Sequence, residues 1–167
     1  CTAKPVGCGL SAVKAWERAS KFGYRHGRML WEDGSMKILL ADDTELIREG
    51  LKSMLLQLPN PAICPEIRTA CNGAEALSLM REHPVDLLIT DIRMPDVDGI
   101  ELMRQCRSQW ANTSIVVISG YDDFKYAQQA IEYGASAYLL KPVDKQELYR
   151  VVEKAWQSAN ARRATIV

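Results

Sequence analysis

From residue 36 onward the chain alternates between two hydrophobic periods. Short runs rich in β-branched and aliphatic residues at about 37–41, 66–71, 86–90, 115–119 and 137–140 read as strands. Stretches near 44–57, 73–83, 99–109, 122–133 and 144–159 carry apolar residues at helical spacing. The first helix opens at Thr44, places Leu46, Ile47, Leu51, Met54 and Leu55 on one face, tolerates Gly50 and is over by Pro59. In the fourth helix Phe124, Ala127, Ala130 and Ile131 have the same core spacing. Five strands, each followed by a helix, predict a doubly wound five-stranded parallel sheet. Right-handed crossovers then cover both of its faces with helices.

In such a sheet the carboxyl ends of the strands share one edge, so residues far apart in sequence meet there. Ile38-Leu39-Leu40-Ala41 ends in Asp42-Asp43, Leu87-Leu88-Ile89-Thr90 in Asp91, Ile115-Val116-Val117-Ile118 in Ser119, and Tyr138-Leu139-Leu140 in Lys141-Pro142. One Asp pair is often only a helix cap, and a lysine before proline is usually solvated. Their placement at the ends of three strands points instead to a metal-assisted phosphoryl site. Three carboxylates that close repel one another unless a cation joins them, and Mg²⁺ is the natural one, with its preference for hard oxygen ligands. Asp91 is the candidate nucleophile, because an aspartyl carboxylate can form an acyl phosphate. Lys141 would pair with a phosphoryl oxygen as a compact charge, and the Ser119 hydroxyl with another.

Composition narrows the class. The chain has 167 residues, 47% of them hydrophobic, enough for one good core, and Lys+Arg balances Asp+Glu at 21 each, giving no electrostatic reason to invoke nucleic acid. Cys1, Cys8, Cys64, Cys71 and Cys106 form neither a C-x-x-C pair nor a cluster with histidine, which argues against zinc and for reduced thiols in a cytoplasmic protein. No apolar run approaches the ~20 residues of a membrane span. His26 and His83 are isolated and read as surface residues.

With these motifs in hand, the stretch from Met36 to about Asn160 resembles the receiver domains of bacterial two-component response regulators, in a flavodoxin-like (CheY-like) fold. The matching pieces are Leu40-Ala41-Asp42-Asp43, Asp91-Ile92-Arg93-Met94-Pro95-Asp96-Val97-Asp98-Gly99, Ser119-Gly120 and Tyr138-Leu139-Leu140-Lys141-Pro142. The resemblance implies Asp91 as phosphoacceptor and a Mg²⁺ site of Asp42, Asp43, Asp91 and the Arg93 backbone carbonyl. It further implies Ser119 as switch hydroxyl, Tyr138 as switch aromatic and Lys141 as the phosphate-sensing amine. On phosphorylation Ser119 would be drawn to the phosphoryl group, leaving room for Tyr138 to rotate inward. The bond before the proline matching Pro142 is commonly cis in the family, and Arg93 and Tyr121 flank the phosphoryl pocket. The implied phosphodonor is a histidine kinase, and the resemblance allows a homodimer on phosphorylation. Such a domain is a switch that catalyses its own phosphorylation and dephosphorylation, not a turnover enzyme.

A narrower similarity lies in Ser119-Gly120-Tyr121-Asp122-Asp123-Phe124-Lys125-Tyr126-Ala127, followed by Ala130-Ile131 and Gly134, which is like receivers of AraC-type (YesN-like) transcriptional regulators. DNA would then be reached only through an output domain that this chain does not contain, residues 161–167 being the start of a linker to it. The alternative is a stand-alone receiver acting by protein contact. A haloacid-dehalogenase-like phosphatase would need a second Asp where Arg93 stands. A flavin-binding flavodoxin would need a hydroxyl-rich phosphate loop where Asp42-Asp43-Thr44-Glu45 would repel phosphate.

Residues 1–35 do not fit the domain: they hold six basic and three acidic side chains, with Trp16 and Trp31 but no sustained pattern. The apolar face around Ala12–Ala19 is short for a membrane anchor. Trp31-Glu32-Asp33 can be encoded by TGG-GAG-GAT, a purine-rich ribosome-binding sequence just upstream of a Met36 start. The expectation is therefore a disordered extension, translated from leader sequence with Met36 as the true start. A cloning-derived extension ending in Gly34-Ser35 is the rival.

Overall fold

The computed structural model describes residues 35–120 and 124–165. Expectations that rest on residues 1–34 or on Tyr121, Asp122 and Asp123 lie outside the described residues. In chain order the elements are β1 (Ser35–Ala41), α1 (Glu45–Leu55), β2 (Cys64–Ala70), α2 (Gly73–Glu82), β3 (Leu87–Asp91), α3 (Gly99–Gln109), β4 (Ser114–Ser119), α4 (Phe124–Glu132), β5 (Ala137–Leu140) and α5 (Lys145–Thr165). All strand pairs are parallel, in the order β2-β1-β3-β4-β5. The fold is the doubly wound parallel sheet that the alternating periods predict, in the flavodoxin-like strand order that the family resemblance implies.

β3 and β4 are buried along their whole length, which is why their sequences are apolar runs rather than alternations. Successive side chains point to opposite faces. Leu39, Ala41, Leu88, Ile115 and Val117 meet Ala76, Leu77 and Met80 of α2, Leu102, Met103 and Cys106 of α3, and Ala130 of α4. Ile38, Leu40, Leu87, Ile89, Val116 and Ile118 meet Leu51 and Leu55 of α1 and Leu148, Val152 and Ala155 of α5. Truncating a fully buried residue such as Leu40 or Leu88 to Ala should cost about 2–5 kcal/mol.

Local signals set several helix starts. Asn72 accepts from Glu75 N while Glu75 Oε2 accepts from Cys71 N, a reciprocal cap at α2. Asp98 Oδ1 accepts from Glu101 N at α3, and Asp144 Oδ1 from Gln146 N and Glu147 N at α5.

Two residues read as core are not. Leu46 is 82% exposed and Ile131 71% exposed, whereas Leu51, Leu55 and Ala130 of the same helices are buried. Helical spacing tells which residues share a face, but tertiary packing sets the rotation that decides which edge of that face reaches the sheet. α5 also runs on to Thr165, beyond the pattern near 144–159, so that residues 161–165 are helical. Its far turn is held by Arg163, bonded to both carboxylate oxygens of Asp86 at 2.9 Å. At the other end of the domain β1 begins at Ser35, paired with Cys64. The Lys141–Pro142 peptide bond is cis.

Candidate functional site

Strand order decides what meets. β1 and β3 are neighbours, so Asp42, just past the end of β1, and Asp91, the last residue of β3, come together at the carboxyl edge. Ligand oxygens of Asp42, Asp43 and Asp91 all lie within 4.8 Å of one another. Lys141, following β5, reaches between two of them, with Nζ 2.9 Å from Asp42 Oδ2 and 3.0 Å from Asp91 Oδ2. The Lys141 amide also donates to the Ser119 carbonyl at 2.8 Å, tying the ends of β4 and β5.

Backbone groups hold the acids in place. Thr44 N donates to Asp42 Oδ1 and Ile92 N to Asp91 Oδ1, each at 2.8 Å. Thr44 makes no side-chain cap to α1, so the β1–α1 turn serves the carboxylate rather than the helix. Sequence reasoning missed two contributors. The Arg48 guanidinium donates back to the Asp42 carbonyl oxygen, a contact between a helix and a loop that no spacing rule announces. A Cβ at Gly99 would lie 2.1 Å from the Asp91 carbonyl oxygen, so only glycine lets α3 start against the end of β3; the signal was Asp98-Gly99 after the proline turn. Arg93, in the β3–α3 loop, lines a cleft of about 490 Å³ with Asp43, Ile92, Met94, Pro95, Asp98 and Tyr126. Ser119 is fully buried at the end of β4, and its Oγ is hydrogen-bonded to the Tyr138 hydroxyl. Tyr138 is half-buried and packed on the core that α2, α3 and α4 cover.

The electrostatics are those of crowded acids. Burial pushes the Asp91 carboxyl above its usual range, with Asp42 adding to the rise and Lys141 opposing it. Burial also works against the Lys141 ammonium, but its bonds to Asp42 and Asp91 together outweigh burial and raise its pKa. Three carboxylates and one ammonium leave two negative charges, which a divalent cation matches. Asp42 and Asp91 are buried while Asp43 is exposed, leaving one side open to water. Mg²⁺, which takes one or two carboxylates and keeps several waters, fits this donor set.

An open parallel sheet with an acidic, lysine-bridged carboxyl edge defines a flavodoxin-like signalling domain rather than a cofactor-binding flavodoxin. The chain belongs to the response regulator receiver domain family, whose sequence model matches residues 38–153. It is similar to an uncharacterized response regulatory protein of Staphylococcus epidermidis, 39% identical over 117 residues, or 70% of this chain and 45% of that one. Among solved structures it is similar to the receiver domain of AraT, a response regulator from Geobacillus stearothermophilus (38% identity, TM-score 0.68, 77% of this chain and 98% of that one). It is also similar to a two-component transcriptional regulator AraC from Clostridium phytofermentans (30% identity, TM-score 0.67, 78% and 98%). The chain spans about half the length of the curated relatives it matches. Among the described residues no helix is long and apolar enough to cross a membrane.

Proposed function

We propose that the domain is a phosphorylation-dependent switch that receives a phosphoryl group on Asp91 from a histidine kinase. The observation that carries this reading is the cluster itself: three carboxylates within 4.8 Å with the Lys141 ammonium 3.0 Å from Asp91. Asp91 Oδ2 attacks phosphorus, the bond to the donor histidine nitrogen breaks, and that nitrogen keeps the electron pair. Lys141 leaves its bridging position to pair with a phosphoryl oxygen, and Ser119 donates to another. Asp42, Asp43, Asp91 and the Arg93 carbonyl would hold Mg²⁺, which when bound neutralises charge on the transferring group. Water later hydrolyses the acyl phosphate, so the domain returns to its starting state without acting on a turnover substrate.

The rest of the reading concerns the longer protein. The likeness to the AraC transcriptional regulator supports an AraC-type DNA-binding output domain; residues 36–160 would then be the receiver of a cytoplasmic transcriptional regulator. Ile131 on α4, Tyr133 in the turn just after it and Leu140 on β5 are exposed apolar residues and would support a homodimer formed on phosphorylation. The test is labelling by a small-molecule phosphodonor with Mg²⁺. Wild type should form an acid- and base-labile phosphoprotein, and equal labelling of Asp91→Asn would overturn the assignment, because an amide cannot form the acyl phosphate.

A further inference from the structure

The loop between β3 and α3 carries the Arg93 carbonyl, and its shape is fixed from two sides. From within, Gly99 N donates to the Ile92 carbonyl oxygen and Val97 N to the Pro95 carbonyl oxygen, each at 2.8 Å. Asp96, inside the second of these turns, has φ 65°, a left-handed conformation that aspartate tolerates better than most side chains. From without, the first residue of α2 abuts the loop. A Cβ at the buried Gly73 would stand 2.8 Å from Val97 Cβ and Cγ1, and closer still to the Val97 carbonyl oxygen. Part of that obstacle is backbone, which no change of rotamer moves, so the approach requires a residue without a side chain. Gly50 in α1 is the contrast, with nothing within 4 Å of the Cβ it lacks.

We infer that Gly73 is a positioning residue for the metal site: by letting the first turn of α2 close on Val97, it seats the loop that carries the Arg93 carbonyl. The inference rests on the reading of Asp42, Asp43, Asp91 and the Arg93 carbonyl as the Mg²⁺ set. A side chain at position 73 must push either α2 or the loop. α2 is held by Ala76, Leu77 and Met80, all buried in the core, and by the reciprocal cap of Asn72 and Glu75. Of loop residues 93–98, Met94 and the half-buried Val97 pack on the core and the others are exposed. The loop therefore yields first. The tight turn from Pro95 to Val97 passes the displacement on toward Met94 and Arg93 instead of absorbing it. Mg²⁺ demands near-ideal octahedral geometry, so a small shift of one oxygen ligand lowers its affinity. The metal-binding edge is thus keyed to α2, a helix that supplies no ligand.

The test is calorimetric titration of the full chain with Mg²⁺, well below every thermal midpoint. If wild type binds no Mg²⁺, the metal set itself is wrong and the inference falls with it. If wild type binds, Gly73→Ala should bind about tenfold more weakly, as loss of an outer support of a metal site does. Its Arg93 and Met94 amide shifts should differ from wild type already in metal-free buffer. Leu77→Ala, in the same helix, separates positioning from stability: it should lower the thermal midpoint and leave Mg²⁺ affinity unchanged. Gly50→Ala should leave the affinity unchanged as well. Should Gly73→Ala not fold, Val97→Ala decides, because it removes the loop's side-chain half of the contact without adding an atom; it should also weaken Mg²⁺ binding and shift the Arg93 amide. Wild-type affinity in Gly73→Ala, or in Val97→Ala where Gly73→Ala does not fold, would overturn the inference. So would an equal loss of affinity in Leu77→Ala or Gly50→Ala.

Discussion

Strand β3 lies between two aspartates with opposite circumstances: Asp86, just before its first residue, and Asp91, its last. Asp86 is a latch. Both its oxygens are bonded to Arg163 at 2.9 Å, Oδ2 also accepts from Lys37 N, and its own backbone closes the amino edge of the sheet with Lys37 and Ser114. Asp91 shares one ammonium with Asp42, sits beside Asp43 as well, and is pushed toward its protonated form by burial. A carboxylate with a guanidinium of its own stabilises the fold. One that must share its counter-charge stores electrostatic cost that a cation and a phosphoryl group can relieve.

The largest expected effect separates the two ends outright: Asp91→Asn loses phosphodonor labelling completely, whereas Asp86→Asn keeps it. The stability effects should run the other way. Asp86→Asn removes charge-assisted hydrogen bonds and should lower stability by about 1–3 kcal/mol, a drop of several degrees in thermal midpoint. Asp91→Asn should not lower it in metal-free buffer. A carboxyl whose pKa is raised on folding holds its proton more tightly folded than unfolded, so wild type loses stability as pH rises through that titration. The midpoint of Asp91→Asn should therefore gain on wild type as pH rises, and parallel pH profiles would break the comparison. Next in size, Asp43→Ala should weaken Mg²⁺ binding by about tenfold or more, read by calorimetry, since a carboxylate ligand is lost. Unchanged affinity would remove Asp43 from the metal set. Ser119→Ala should still be labelled on Asp91 but show a reduced beryllofluoride-induced change in the amide shifts of Gly120 and α4. The smallest effect is expected from a chain beginning at Ser35, which should keep its thermal midpoint. A loss of several degrees would show residues 1–34 packing on the core.

Much of this was legible because strands and helices write their own periods. Ile115-Val116-Val117-Ile118 could hardly be anything but a strand, and strand ends in an open parallel sheet gather at one edge, so the sequence itself groups Asp42, Asp43, Asp91, Ser119 and Lys141. The Arg48 contact was not legible, because a guanidinium on a flexible stem reaches an acceptor that no period predicts. Leu46 and Ile131 were misread as core for a related reason: a helical repeat fixes relative directions, and only the neighbours fix the absolute one.

The sequence alone determined which residues end strands, which chemical groups they carry, and that a serine and a tyrosine stand at positions 119 and 138. Those are local properties, set by side-chain alternation and turn chemistry within a few residues. Only the tertiary structure decided that Lys141 bridges Asp42 and Asp91 across sequence separations of 99 and 50 residues, and that Asp86 meets Arg163 across 77. It also decided that the Ser119 and Tyr138 hydroxyls meet across β4 and β5. Such pairings depend on strand order and helix rotation, which are fixed by burying two faces of one sheet at once, and no local segment of the chain carries that information.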